Sequence, residues 1–293
     1  QLNIYTFEVH YNISRVLPLL KCDIFLSSIA GKNYFFPNCP FRLFYFHSTA
    51  GMEGFPDGAI LGYTHILVAT KQQFNQIKSY KNIGKKHIYQ IGYPKLDQLR
   101  AKLAYEKFPA KQKDLNSRIR IIYAPTYVDE NIYNDISIFY SSLHIVKFLI
   151  QKNYDVTFRP HPLLFKREKS KRYINKLAES LKDDFFHIDT ETSYYRTYLN
   201  SDIMITDVSG TSLNYRLAFQ KPVIFFNHDT NKAINAFSLI PELGATCSNI
   251  EKLPNLVQKL CTENLPKELP NAVFNLDKSI EKCVELIESI AHG

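Results

Sequence analysis

Short apolar runs alternate along the chain with stretches whose apolar positions recur at steps of three and four. Leu43 to Phe46, His65 to Ala69 and His87 to Ile91 read as buried strands, with a polar segment of helical character from Lys71 to about Tyr80 between the last two. This predicts a first parallel-sheet domain. The stretch from Ala101 to Ser117 is rich in lysine and poor in strand formers, so the inter-domain link is placed there, giving domains of residues 1–112 and 113–293. In the second half, Arg118 to Ala124 is a strand stopped by Pro125, and Ile136, Phe139, Leu143, Val146 and Ile150 mark one face of a helix. Tyr154 to Arg159 is the next strand, stopped by Pro160. A charged helix around Lys166 to Lys182 follows, then strands at Asp184 to Ile188 and Asp202 to Thr206, a helix to Phe219 and a strand at Val223 to Phe226. The last helix, about 277–290, carries Ile280, Cys283, Ile287 and Ile290 on one stripe; it is assigned to the second domain and expected to pack across the base of the domains. Strands alternating with helices mean βαβ units, so the expected class is α/β with doubly wound parallel sheets.

Composition narrows this only slightly. Hydrophobic residues at 45% and charged residues at 22% are ordinary for a globular chain, and no repeat or low-complexity tract points to a solenoid or a tail. The five cysteines match neither a disulfide framework nor a CxxC metal pattern, which fits a reducing cytoplasm. No apolar run approaches the roughly 18 to 20 residues a spanning helix needs, so any membrane contact is expected to be peripheral. The chain does not begin with methionine and its first segment reads like the middle of a domain, so the first domain is expected to be short of one or more strands.

Lysine and arginine exceed aspartate and glutamate by 36 to 28, a net charge of +8, which suits nucleic acid, anionic lipid or phosphorylated substrates equally. The densest basic stretch, Lys166 to Arg172, reads as the solvated face of a helix. No RRM, KH or zinc-finger pattern occurs, so no nucleic-acid partner is expected. Walker A, GxGxxG after the first strand and HExxH are also missing, and Asp57, Asp97, Asp129 and Asp207 are too scattered to argue a metal cluster. Neither a metal nor a cofactor is expected.

Ligands of doubly wound sheets sit outside the carboxyl ends of the strands, so polar residues just after a strand are the first candidates. These are His47; Gly92, Tyr93 and Pro94; Pro125 and Thr126; His161; and Asp207. The clearest segment is TDVSGTS, Thr206 to Ser212, where Thr206, Asp207, Ser209, Gly210, Thr211 and Ser212 lie between an apolar strand and a helix. Unpaired backbone N–H groups and the helix dipole make such a turn an anion site; the alternative is that Asp207 or Ser209 simply caps the helix. RPHP, Arg159 to Pro162, puts a cation and an imidazole on a rigid turn where His161 could donate to a phosphate or leaving-group oxygen, or could be structural. His47 precedes a glycine-bearing loop, Gly51 to Gly58, and is placed either as an exposed general base or as a half-buried strand-end histidine.

In order along the chain, KNYFFPN (Lys32 to Asn38), the histidine of FHSTAG (His47), IGYPKLDQL (Ile91 to Leu99), IIYAPTY (Ile121 to Tyr127), FRPHP (Phe158 to Pro162) and DIMITDVSGTSLNYRLAFQKPVIFF (Asp202 to Phe226) resemble the CDP-glycerol glycerophosphotransferase family, which builds teichoic acids and related capsule or surface polymers. The resemblance implies a GT-B fold, with the nucleotide in the C-terminal domain and the acceptor in the cleft between domains. It implies that His47 deprotonates the acceptor hydroxyl, that His161 stabilises the pyrophosphate as CMP leaves, and that the Thr206 to Ser212 turn holds the phosphates. Arg159, Pro125 and Thr126 join the donor side, and Ser48, Thr49, Gly92, Tyr93 and Pro94 the acceptor side. The partners are then a CDP-alcohol (CDP-glycerol or CDP-ribitol) or a nucleotide-sugar donor, a polyol-phosphate or glycan acceptor, and an anionic inner-leaflet membrane at the cytoplasmic face. Two alternatives stay open: a GT-B glycosyltransferase with a CMP- or UDP-linked sugar, and a non-catalytic nucleotide- or glycan-binding subunit. The family usually shows His-Gly-Thr at His47 to Thr49, a second serine at Gly210 and an aspartate-like residue at Asn214, which leaves the donor open.

Overall fold

The protein is described from a computed structural model, over residues 14–29, 35–46, 49, 58–80, 83–84, 86–106, 118–127, 137–236, 240–266, 269 and 272–292. The chain divides into two compact units, one of residues 1–94 with 273–293 and one of residues 95–272. This differs from a division at 112/113 with the last helix in the second domain.

The first unit is built on a four-stranded parallel sheet in the order β1 (Ile24–Ser27), β2 (Phe41–Tyr45), β3 (His65–Val68), β4 (His87–Gln90). Leu43 pairs with His65 and His65 with His87, so successive strands stay in step. Because side chains alternate across a strand, one face carries Phe44, Phe46, Ile66 and Val68, packed with Ile60, Tyr63 and Ile77. Ile77 comes from α1 (Lys71–Ser79), whose first turn is capped by the Thr70 side chain accepting from the Gln73 N–H. The opposite face carries Leu43, Leu67 and Ile91, covered by Leu286, with Cys283, Ile287 and Ile290 packed against them. That stripe belongs to the last helix, so the helix completes the core of the first unit. The distant pairing is invisible to local composition.

The second unit opens with α2, which begins at the boundary (Pro94–Glu106), so Ala101 to Glu106, expected in a linker, are helical. Lysine suits an exposed helix face as well as a linker. The unit holds a six-stranded parallel sheet of β5 (Arg120–Ala124), β6 (Asp155–Phe158), β7 (Phe186–Ile188), β8 (Ile203–Thr206), β9 (Val223–Phe226) and β10 (Ala245–Cys247), in the order β10-β9-β8-β5-β6-β7. Intervening helices are α3 (Ser142–Gln151), α4 (Glu168–Ser180), α5 (Tyr195–Asn200), α6 (Thr211–Ala218), α7 (Thr230–Ala236) and α8 (Ile240–Leu243), with α9 (Leu253–Thr262) after β10. The last helix of the chain is α10 (Ser279–His292). The central strands read as continuous apolar runs, IIYA, IMIT and VIFF, because helices cover both faces of a parallel sheet. Ile121, Val146, Leu149, Val156, Phe158, Ile203 and Ile205 belong to one core in this unit. Strand order reverses between β5 and β8, and the carboxyl ends of those two strands flank the crevice that such sheets use for ligands.

Candidate phosphate-binding site

The Thr206 to Ser212 turn lies at that reversal and has a buried half and an open half. On the buried side, the Thr206 hydroxyl donates to the Ala124 carbonyl at 2.6 Å, tying β8 to β5 where the two residues are register partners. The Asp207 carboxyl is fully buried and accepts from the Thr126 N–H at 2.9 and 3.1 Å and from the Ile138 N–H at 3.0 Å. Burial pushes its pKa up to about 7, and those N–H donors pull against it. Ser212 is buried and donates to the Ser209 carbonyl at 2.8 Å. Thr206, Asp207 and Ser212 therefore direct their side chains to the backbone and fix the loops. Pro125, between them, is buried as well.

On the open side, α6 begins at Thr211 with Gly210 at the cap position in helical conformation, and no side chain caps it. Neither Asp207 nor Ser209 takes the capping role. Ser209 and Gly210 are half-buried, and among the described residues the Ser209 hydroxyl has no protein partner. The Thr211 hydroxyl is held by the Tyr198 hydroxyl. The Ser212 and Leu213 N–H groups donate to the Ser209 and Gly210 carbonyls at 3.2 and 3.3 Å, so what the start of this helix presents is the Thr211 N–H and the positive end of the dipole, with no side-chain acceptor at the cap.

The other arm of the site follows β6. Arg159 is only 8% exposed; it is paired with Asp189 and donates to the Glu191 carbonyl at 3.1 Å. Asp189 also accepts from the Glu191 N–H at 2.9 Å and from the Thr197 hydroxyl, so Arg159 organises the stretch leading into α5. Two residues on, the exposed His161 accepts the Leu163 N–H at its Nδ1, at 3.2 Å. A neutral imidazole that accepts at Nδ1 carries its proton on Nε2, so His161 presents an Nε2–H donor. Crowding by protein atoms and the Arg159 charge hold its pKa below the usual histidine range. At neutral pH it is therefore a neutral donor.

Tyr127 joins the two arms. Its neighbour Thr126 is bound by Asp207, and its ring lies 5.3 Å from that of His161, with the Arg167 guanidinium 5.1 Å from its centroid on the same ring. Neither Tyr127 nor Arg167 is among the residues that the sequence brings forward. Arg167 stands in the basic stretch expected to be a helix face, and its position just before α4, beside the His161 turn, is the signal that marks it. In the first unit, His47 and Ser48 lie outside the described residues, and Thr49 is buried. Gly92 has φ +98°, and a Cβ there would fall 2.2 Å from the Phe274 carbonyl oxygen and 2.3 Å from Ser279 Oγ. The Tyr93 N–H donates to that same Oγ at 2.9 Å, and Pro94 starts α2. Gly92 and Tyr93 are thus joined to the start of α10 by packing. Among the described residues no group of three or more His, Cys, Asp or Glu is placed to hold a metal ion, and no helix is long and apolar enough to cross a membrane.

The sequence model of the CDP-glycerol:poly(glycerophosphate) glycerophosphotransferases matches residues 59–235, from just before β3 to α7. The chain belongs to this family. Every residue of the second-unit site lies inside the match, whereas His47 precedes it. The minor teichoic acid biosynthesis protein GgaB of Bacillus subtilis (strain 168) is 23% identical over 174 residues, covering 56% of this chain and 18% of that protein. The chain thus spans under a fifth of that relative's length. Among solved structures, the wall teichoic acid polymerase TagF soaked with CDPG aligns at a TM-score of 0.56 and 16% identity, over 92% of this chain and 72% of that one. S. aureus MnaA with UDP aligns at 0.60 and 14%, over 99% and 82%, and the UDP-GlcNAc 2-epimerase of Methanocaldococcus jannaschii at 0.57 and 16%, over 95% and 80%. These likenesses are of fold: two Rossmann-like units of the GT-B class.

Proposed function

We propose that the protein is a transferase that moves a phospho-alcohol, glycerol phosphate or ribitol phosphate, from a CDP-linked donor to a growing surface polymer of the teichoic acid or capsule type, releasing CMP. The observation that carries this reading is the fixed Nε2–H of His161 sharing one crevice, through Tyr127 and Thr126, with the uncapped start of α6. In this reading the acceptor hydroxyl oxygen attacks the β-phosphorus of the donor, and His47 takes the hydroxyl proton. The bond from the β-phosphorus to the bridging oxygen breaks, and that oxygen leaves on CMP with the electron pair. His161 donates to the phosphate oxygens as charge builds, while the Ser209 hydroxyl and the Thr211 N–H, at the positive end of the α6 dipole, hold them. Phosphoryl transfer asks mainly for such positioning and charge stabilisation. The net charge of +8 suits reaction at an anionic cytoplasmic membrane surface.

CMP release from CDP-glycerol and CDP-ribitol, with UDP- and CMP-linked sugars as comparators, tests the proposal. Removing one charge-stabilising donor costs about 10²–10³ in rate, so His161→Ala is expected to fall by that factor, with His161→Gln, which keeps an N–H donor, less affected. His47→Ala is expected to fall at least as far. Unchanged rates in both alanine variants would remove the assigned roles, and turnover with nucleotide sugars alone would remove the donor.

A further inference from the structure

Away from this site, two cysteines that the proposed chemistry does not use face each other across the first two strands. Lys21 bridges Asn38 in parallel and Ile24 pairs with Phe41, the same offset, so Cys22 stands in register with Cys39. The Asn38 N–H donates to the Leu20 carbonyl at 2.9 Å, which holds this end of the pair together. Adjacent strands lie about 4.8 Å apart, and registered residues project to the same side, inside the ~4.4–6.8 Å Cα separation that disulfides span. Both thiols are free and half-buried. They interact directly: burial, and after it the charge and hydrogen bonding of Cys22, push the Cys39 pKa up to about 12.

We propose that Cys22 and Cys39 form a reversible thiol–disulfide site whose oxidant is a low-molecular-weight disulfide. The Cys22 thiolate attacks one sulfur of the small disulfide, whose S–S bond breaks and releases one thiolate that takes up a proton. Cys39 then loses its proton to solvent and attacks the Cys22 sulfur, expelling the second small thiol. Two protein thiols are oxidised by two electrons and one small disulfide is reduced to two thiols. Capping Cys22 in the mixed disulfide removes the negative charge that opposes ionisation of Cys39, so the first step assists the second. Burial still opposes it, so closure is slow at neutral pH and faster in alkali. The product ties β1, an edge strand of its sheet, to β2.

The test uses the whole 293-residue chain, reduced and then incubated with oxidised glutathione. Free thiols are expected to fall from five to three, with a Cys22–Cys39 peptide pair in the digest and full recovery on reduction. The oxidised chain is expected to unfold at a higher temperature than the reduced one, a difference lost in Cys22→Ser and in Cys39→Ser. The inference is overturned if all five thiols persist, if glutathione stays attached to Cys22 without closure, or if the linked peptides join other cysteines or two copies of the chain.

Discussion

Asp207 sets two opposing effects against each other, and a single substitution separates them. Its carboxyl is 0% exposed, which disfavours the anion, yet it accepts two backbone N–H groups, which favour it. With burial ahead, the folded chain keeps the proton to about pH 7, while the unfolded chain releases it near the ordinary 3.8. The folded state then binds more protons across that window, so this group's contribution to stability is greatest at low pH and is lost as pH rises towards 7. At ~1.4 kcal/mol per unit, the whole shift amounts to roughly 4 kcal/mol, of which roughly 3 falls between about pH 5 and pH 9. Asp207→Asn keeps the shape and cannot ionise. It replaces one acceptor oxygen with an NH₂ facing the N–H of Thr126 or Ile138, at a cost of about 1–3 kcal/mol. Urea unfolding of both proteins across that range is therefore expected to show the variant less stable in acid, with the gap closing or reversing in alkali. An infrared band of protonated carboxyl, present near pH 6 and absent from the variant, is the companion readout. A stability gap constant with pH would refute the reasoning: it would mean that the N–H donors offset burial and that the carboxyl ionises in its ordinary range or below it.

Two further changes test the packing. Gly92→Ala combines φ +98° with contacts of 2.2 and 2.3 Å to Phe274 and Ser279, so thermal unfolding is expected to show a loss of about 3 kcal/mol or more, accompanied by release of α10 from the first unit in hydrogen exchange. Arg216 is 3% exposed, donates to the Pro266 carbonyl and leaves Nη1 without a partner, and burial lowers its pKa. Among the described residues no carboxylate pairs with this buried charge, which is costly, so Arg216→Met is expected to leave stability unchanged or raise it by about 1–3 kcal/mol in urea unfolding, while Arg216→Ala loses stability through the cavity.

The sheet of the second unit was legible because parallel strands covered on both faces must be apolar throughout, and IIYA, IMIT and VIFF stand out from their surroundings. Of the strands that end the two described sheets, β4 and β7 were legible and β1 and β10 were not: β10 is only Ala-Thr-Cys, with no apolar run, and β1 offers three apolar residues, Ile24 to Leu26, with no alternation to mark them. The domain boundary escaped for a different reason. The Leu286 stripe is amphipathic in either assignment, and only its meeting with Leu43, Leu67 and Ile91, more than 190 residues earlier, decides which core it completes. Strand-end position picks out residues that the structure gathers at one crevice of the second unit, but it cannot tell side chains open to a ligand from those that hold the loops. Arg159 looked like a phosphate cation and is instead bound to Asp189, a partner 30 residues away that nothing in the local motif announces.

That distinction divides the Thr206 to Ser212 turn itself and leads to a prediction that compares two of its hydroxyls. Thr206 bonds the Ala124 carbonyl inside the sheet, so Thr206→Val leaves that carbonyl without its donor and is expected to cost about 1–2 kcal/mol of stability. The Ser209 hydroxyl has no protein partner among the described residues, so Ser209→Ala is expected to leave unfolding within about 0.5 kcal/mol of the parent. If Ser209 meets the donor's phosphates, the same change weakens CDP binding by roughly 10-fold, the loss of one hydrogen bond to a charged group. Calorimetric titration with CDP, set beside urea unfolding, therefore places the two residues on opposite axes: stability for Thr206, affinity for Ser209. A Ser209→Ala protein that binds CDP like the parent would leave the turn as a structural joint between β5, β8 and α6, and would move the phosphate contacts to His161 and its neighbours.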